Sequence, residues 1–198
     1  MNFDTEPAGV ASPKLSGIRP VILGGGDGWV VDRFEKTVRM STYLLAFIVS
    51  DFGKPAMDQF SVWSRKSVID TTAYALEVGP KILSFYETFF KVKYPLPKTD
   101  MVAIPDFSAG AMENWGLITY RETALLYDTR YSSASNMQRV ATVISHELAH
   151  QNDQYDCDEE MSSLATIVAE KLGPSLLPSD YTSGFPSYHG IISCASFK

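Results

Sequence analysis

The sequence lacks several features that mark large classes of proteins. Its longest apolar run, Tyr43–Val49, is too short to cross a bilayer, and its first residues do not combine a basic region with an apolar one. We therefore expect neither a transmembrane segment nor a signal peptide within this chain. The net charge is −6 and no basic cluster is interleaved with aromatic residues, which argues against a nucleic-acid partner. Because 45% of the residues are hydrophobic, the chain can still form an ordinary folded core.

Cysteine and histidine are also scarce, with two and three residues respectively. Both cysteines, Cys157 and Cys194, lie near the C-terminal end, where a disulfide and two free thiols both remain compatible with the sequence. Two of the three histidines, in contrast, occur together as His146 and His150 in the stretch Ser145–His150. That clustering makes this stretch the first candidate for a functional site.

The residues before these histidines predict an amphipathic helix. Ser135 and Gln138 have the spacing of a capping box, so we expect the helix to begin near Ser135. Apolar residues then recur at helical spacing and predict its buried stripe: Met137, Val140, Ala141, Ile144 and Leu148. His146 and His150 are one turn apart, so their imidazoles should project from the same side of the helix.

Two neutral imidazoles at this spacing are typical zinc ligands, and Glu147 beside them can take a proton from a water molecule. The pattern His-Glu-x-x-His therefore predicts a zinc peptidase site with His146 and His150 as metal ligands and Glu147 as the catalytic base. The alternative is a helix whose histidines are only hydrogen-bonded, since the bare pattern also occurs by chance.

A second motif, Gly110-Ala111-Met112-Glu113-Asn114 followed by Trp115-Gly116-Leu117, precedes the histidines. Together the two motifs closely resemble the aminopeptidase N family of zinc exopeptidases, gluzincins with a thermolysin-like catalytic domain. The similarity covers roughly residues 33 to 151 and ends at Gln151. It extends to these stretches around the motifs: Met40–Leu44 through Phe52, Tyr94–Lys98, Pro105–Phe107 and Thr119–Glu122.

The resemblance implies an α/β (α+β) fold in which the end of an N-terminal β domain precedes the first part of a thermolysin-like domain. We expect four segments: loop-rich residues 1–32, the last strands of the β domain at 33–60, the partial catalytic domain at 61–151, and a divergent tail at 152–198.

Val38–Asp51 is rich in strand-forming residues and predicts a largely buried strand around Tyr43–Val49. Thr71–Lys91 predicts a helix that Gly79-Pro80 should kink or restart. Three further buried strands are expected at Phe60–Trp63, Met101–Ile104 and Leu117–Tyr120.

The broad apolar face predicted for the 71–91 helix comprises Ala73, Leu76, Ile82, Leu83, Tyr86, Phe89 and Phe90, and Tyr94–Pro97 should end that helix.

The resemblance also implies an activity, namely hydrolysis of the N-terminal residue from peptides that have a free N-terminus, with one Zn²⁺ per chain. Glu113 would bind the substrate ammonium, and the strand formed by Gly110, Ala111, Met112, Glu113 and Asn114 would bind the peptide. Family members are often membrane-anchored and face outward, so a membrane-associated or extracellular location is implied. We expect no insertion of this chain itself into a membrane.

The third zinc ligand is the main departure from the family pattern. The family takes it from a glutamate 19 positions after the second histidine, where this chain has Ala169, while Glu170 is one residue late. Asp158 predicts the N-cap of a helix at about residues 159–172, which would carry Glu170 past the metal. The resemblance places the family's oxyanion-stabilising tyrosine beyond Lys198.

Two alternatives to an active aminopeptidase therefore remain open. The first is a catalytically impaired, truncated product that retains peptide or metal binding, for which little or no activity is expected. The second is a thermolysin-like endopeptidase, which the amine-binding motif disfavours because its chemistry demands a free N-terminus.

Overall fold

The computed structural model describes residues 21–22, 30–31, 40–55 and 59–151. The predicted 159–172 helix, Glu170 and both cysteines lie outside these residues. The strands are β1 (Val21–Ile22), β2 (Val30–Val31), β3 (Phe60–Trp63), β4 (Thr99–Ile104), β5 (Ala111–Met112) and β6 (Leu117–Arg121). The α-helices are α1 (Ala73–Phe90), α2 (Glu122–Leu125) and α3 (Ala134–Ala149), and 3₁₀ helices span Thr42–Leu44 and Lys66–Thr72.

A mixed four-stranded sheet organises the described part of the chain, with the strand order β3-β4-β6-β5. β3, β4 and β6 are parallel, whereas β5 is antiparallel to β6 and forms the edge of the sheet. All of β3 and nearly all of β4 and β6 are buried, as expected for parallel strands covered on both faces. The three predicted strands at Phe60, Met101 and Leu117 are confirmed, and the fold is of the predicted α/β class.

α1 confirms the predicted helix but differs from the prediction in two respects. It continues through Pro80 instead of restarting there, and it ends at Phe90, where Lys91 adopts a left-handed conformation. Gly79 supports this arrangement, because a Cβ atom there would lie 2.3 Å from Cζ of Phe60. The missing side chain lets β3 pack directly against the helix.

The predicted apolar face of α1 is confirmed in part, since Leu76, Leu83 and Phe90 are half-buried and pack against the core. The buried face of the helix contains Ile82 and Tyr86 as expected, together with Tyr74, Ala75, Val78 and Gly79. Ala73 and Phe89 are exposed, so their assignment to the apolar face was wrong.

The predicted buried strand at Tyr43–Val49 is wrong. Its first residues form the 3₁₀ helix, and the following residues alternate between half-buried and exposed. Ala46, Ile48 and Phe52 pack against an apolar cluster of Trp63, Val102 and Leu117, whereas Phe47 and Val49 are 75% and 87% exposed. Among the described residues, other elements cover only one side of this segment. This explains why a continuous apolar run is only half-buried.

α3 confirms the predicted helix and its stripe, since Met137, Val140, Ala141, Ile144 and Leu148 are all buried. The predicted cap was wrong. Ser133 is the N-cap, with its Oγ atom accepting a hydrogen bond from the amide of Asn136 at 3.2 Å. Because the helix begins at Ala134, Ser135 already lies within the first turn.

α1 and α3 pack against each other and against one face of the sheet to form the main core. Within the described residues, no helix is long and apolar enough to cross a membrane.

Candidate active site

His146 and His150 lie on the last turn of α3 with their rings together, as predicted. Their Nε2 atoms are 3.1 Å apart and the ring centroids are 4.7 Å apart. His146 is 1% exposed, whereas His150 is half-buried at the helix end. One imidazole is therefore held inside the core and the other is accessible from the surface.

The separation of these nitrogens suits a zinc ion. Two nitrogens bound tetrahedrally to zinc at about 2.0–2.1 Å are about 3.3–3.4 Å apart, close to the distance seen here. The same separation also suits a hydrogen bond between the two rings, so the distance alone leaves the two sequence-based alternatives open. Within residues 40–55 and 59–151 no group of three His, Cys, Asp or Glu side chains is placed to hold a metal. A third ligand would have to come from outside the described part of the chain.

Glu147 lies between the histidines in sequence and is only 4% exposed. Its Oε2 atom is buried and has no hydrogen-bond partner among the described residues. Burial, with the nearby charge of Glu113 as a second cause, raises the pKa of Glu147 well above its ordinary value. A carboxyl group whose pKa is raised by burial is better suited than an ordinary one to accept a proton and release it again.

Tyr120 is a further buried polar residue, which the sequence predicted only as part of a buried strand. It lies in β6, is fully buried, and its hydroxyl group has no hydrogen-bond partner within the described segments. Burial and then the charge of Glu147 raise the pKa of Tyr120. A tyrosine in a strand predicted to be buried was the available sequence signal, because a buried tyrosine hydroxyl usually has a polar partner.

The predicted substrate-binding residues lie at the open edge of the sheet. Gly110 is exposed, and Ala111, Met112 and Glu113 are half-buried. Ala111 and Met112 form β5, which pairs with β6 on one side and has no strand on its other side within the described residues. A Cβ atom at Gly110 would meet no other atom within 4 Å, so the space beside this residue is open.

Asn114, the last of these residues, is buried and uses its side chain within the protein. Its amide nitrogen donates to the carbonyl oxygen of Leu44 at 3.3 Å, and its Oδ1 atom accepts from Thr119 at 3.1 Å. The side chain therefore holds the loop after β5 to β6 and to the 3₁₀ helix.

Packing between elements brings the two motifs together. α3 contacts β5, and the hydroxyl group of Tyr86 on α1 lies 3.0 Å from the carbonyl oxygen of Ser145 and 2.8 Å from its Oγ atom. Because Ser145 precedes His146, this buried contact anchors the histidine-bearing turn of α3 to α1. Tyr86 was predicted as core only, and nothing in its local sequence signals the contact.

Comparison with known proteins shows which sequences this chain is similar to. The model of the peptidase family M1 domain matches residues 74–152, which include both motifs. Aminopeptidase N from Haemonchus contortus is 52% identical over 136 residues, covering 64% of this chain and 14% of the relative. Aminopeptidase Ey from Gallus gallus is 55% identical over 132 residues, with the same shares of the two chains.

Endoplasmic reticulum aminopeptidase 2 from Bos taurus is 49% identical over 151 residues, covering 74% of this chain and 16% of the relative. The chain thus spans about one seventh of the length of the curated relatives it matches.

Proposed function

Because this chain belongs to the aminopeptidase N-type family of peptidases, we propose that it carries the metal-binding and amine-binding elements of a zinc-dependent aminopeptidase. One observation supports this proposal most strongly. Gln151, which directly follows His150, donates from its Nε2 atom to the main-chain carbonyl oxygen of Glu113 at 3.0 Å. The main chain of the candidate amine-binding residue is therefore held next to the end of the helix that carries the two histidines.

The edge strand would bind the peptide. Its free side offers main-chain groups to which an extended peptide can add as a further strand. Glu113 is half-buried, and a carboxylate in such a place forms a strong charge-assisted hydrogen bond with an N-terminal ammonium group. Gly110 and Ala111 would lie along the peptide main chain, and Met112 would contact the first side chain. Asn114 would contribute through its main chain and by holding the loop, because its side chain is engaged within the protein.

His146 and His150 would hold the zinc ion through their Nε2 atoms. The ion, when bound, would polarise the peptide carbonyl group and acidify a water molecule. Glu147 would take the proton of the attacking water and pass it to the departing amine. Its buried position and raised pKa suit both halves of this transfer.

A second function, peptide binding without catalysis, is favoured by a specific observation. A zinc site normally has at least three protein ligands, and the described residues supply two. Glu170 is the candidate for the third and lies outside the described part of the chain. Were it not to reach the metal, the edge strand and Glu113 would still bind a free N-terminus.

Zinc stoichiometry measured together with hydrolysis of matched peptides tests these alternatives. The assay uses aminoacyl peptides with a free N-terminus and their N-acetylated counterparts. One zinc per chain with hydrolysis of only the free peptides supports the aminopeptidase. Binding of the free peptides without turnover supports the peptide-binding alternative. Equal cleavage of free and acetylated peptides would indicate an endopeptidase and contradict the role of Glu113.

We also propose a membrane-associated or extracellular location, from the family resemblance. Fractionation of the source cells, with the endogenous protein detected by an antibody against residues of this chain, tests this proposal, and recovery in the cytosol alone would contradict it.

A further inference from the structure

Gln151 directly follows His150 and is completely buried. Three of its hydrogen bonds connect it to the loop between β5 and β6, and in a fourth its main-chain amide donates to the carbonyl oxygen of Leu148 at 3.2 Å. The main-chain amide of Gly116 donates to its Oε1 atom at 2.9 Å, and its Nε2 atom donates to the carbonyl oxygen of Glu113 at 3.0 Å. The indole nitrogen of Trp115 donates to its main-chain carbonyl oxygen at 3.1 Å.

This arrangement uses both ends of the side-chain amide. A buried glutamine destabilises a protein unless its donor and its acceptor are both satisfied, and here each has a main-chain partner. The partner loop is tightly constrained, because Gly116 has a φ of +79° and a Cβ atom there would lie 2.7 Å from a methyl carbon of Leu96. Gln151 therefore acts on a loop that has one narrowly defined conformation.

The contacts link the two halves of the site by a short path. Gln151 is covalently attached to His150, and its side chain binds the main chain of Glu113, 38 positions earlier. Displacing the end of α3 would therefore displace the Glu113 carbonyl group as well. No other described side chain hydrogen-bonds both to Glu113 and to this loop's Gly116.

We propose that Gln151 is a positioning residue that sets the amine-binding glutamate relative to the metal-binding histidines. This inference rests on the proposed function, since it assumes that Glu113 binds the substrate ammonium and that the histidines bind zinc. It assigns Gln151 no contact with the substrate. Its role is to hold Glu113 and the two histidines, which come from distant parts of the sequence, in fixed positions relative to each other.

The first test is Gln151→Met, which keeps the length of the side chain and removes both of its hydrogen bonds. We expect its affinity for a free-amine peptide to fall by about tenfold to a hundredfold, because displacements near 1 Å have effects of this size. Zinc affinity should stay within about twofold, since the histidine nitrogens are retained. The ratio of free to acetylated peptide affinity should therefore fall, which a merely structural role would not cause. Gln138→Met is the matched control, because Gln138 lies on α3, the helix that precedes Gln151, and is only half-buried.

Amide hydrogen exchange provides a readout that needs no peptide. The Gly116 amide donates to the Gln151 side chain, so its exchange should accelerate in Gln151→Met while the amides of α3 keep their protection. Trp115→Phe is a second, milder variant that removes only the bond to the Gln151 carbonyl group. It should also lower the ratio of free to acetylated peptide affinity. If Gln151→Met does not fold, this variant tests the positioning role instead.

Two results would overturn the proposal. One is unchanged Gly116 exchange in Gln151→Met. The other is an equal loss of affinity for zinc, free peptide and acetylated peptide, either in that variant or in Trp115→Phe. Failure of the proposed function looks different, because the unmodified chain would then show no preference for the free peptide. In that case the positioning role for substrate is also refuted, and faster Gly116 exchange would leave Gln151 as a loop anchor only.

Discussion

Gly110→Ala should separate the stability of this fold from its proposed peptide binding. Gly110 does not have a left-handed backbone conformation, and a Cβ atom there would meet nothing within 4 Å. Alanine is therefore compatible with the folded chain and restricts the unfolded one. We expect the free energy of unfolding to rise by about 0.4–1 kcal/mol.

The same methyl group should weaken peptide binding. Under the proposed function, the open space beside Gly110 holds the first residues of the peptide as they pair with β5. A single misplaced methyl group in a binding site typically changes affinity by about tenfold or more, so we expect at least that loss for free-amine peptides. Zinc affinity should not change, because Gly110 is not close to either histidine in the sequence and contributes no ligand.

Gly79→Ala is the contrasting variant. A Cβ atom there would lie 2.3 Å and 2.5 Å from two ring carbons of Phe60, and overpacking of this kind costs about 1–3 kcal/mol. The gain in helix propensity from glycine to alanine is about 1 kcal/mol, so the clash should dominate. We expect lower stability with unchanged peptide affinity per folded molecule.

Urea unfolding and isothermal titration with free-amine peptide measure both quantities for the two variants. Gly110→Ala that binds peptide as well as the unmodified chain would refute the placement of the substrate beside this residue. A loss of stability in the same variant would contradict the structure itself.

The remaining predictions concern the site and its support. His146→Ala and His150→Ala should each abolish tight zinc binding, as measured by equilibrium dialysis, whereas Glu147→Gln should retain it; equal loss in all three would contradict the assigned roles. Glu113→Ala should lower affinity for free-amine peptides far more than for acetylated ones, and a uniform loss would count against an amine-binding role. The pKa of Glu147 is raised above its ordinary 4.5 in the folded chain, so the free energy of unfolding of the metal-free protein should fall as the pH rises from about 4.5. Glu147→Gln should remove this pH dependence, as measured by urea unfolding. Tyr86→Phe should lower the free energy of unfolding by about 0.5–1.5 kcal/mol through loss of its hydroxyl contact with α3; an unchanged value would show that this contact does not anchor the helix.

The errors in the sequence-based predictions have identifiable physical causes. Ser133 and Ser135 both precede a helical pattern, and only the backbone conformation decides which serine caps it. One-sided burial of Tyr43–Val49 could not be predicted from its apolar run, because burial depends on which elements pack against the segment. Gln151 was identified only as the last residue of the family resemblance, and its partners in the β5–β6 loop are 35, 36 and 38 positions earlier in the sequence.

The sequence by itself determined the features that depend on neighbours a few residues apart. The stripe of α3 and the shared side of His146 and His150 follow from the helical period, which is a local property. The strands at Phe60, Met101 and Leu117 follow from short apolar runs in the same way.

Tertiary structure alone decided what lies across the site from those histidines. The register of β5 on β6 and the packing of α3 against β5 bring the Glu113 segment next to the histidine-bearing end of α3, and the hydrogen bonds of Gln151 join the two segments. Such contacts depend on how distant segments pack, and no periodicity in the sequence encodes which of them will meet.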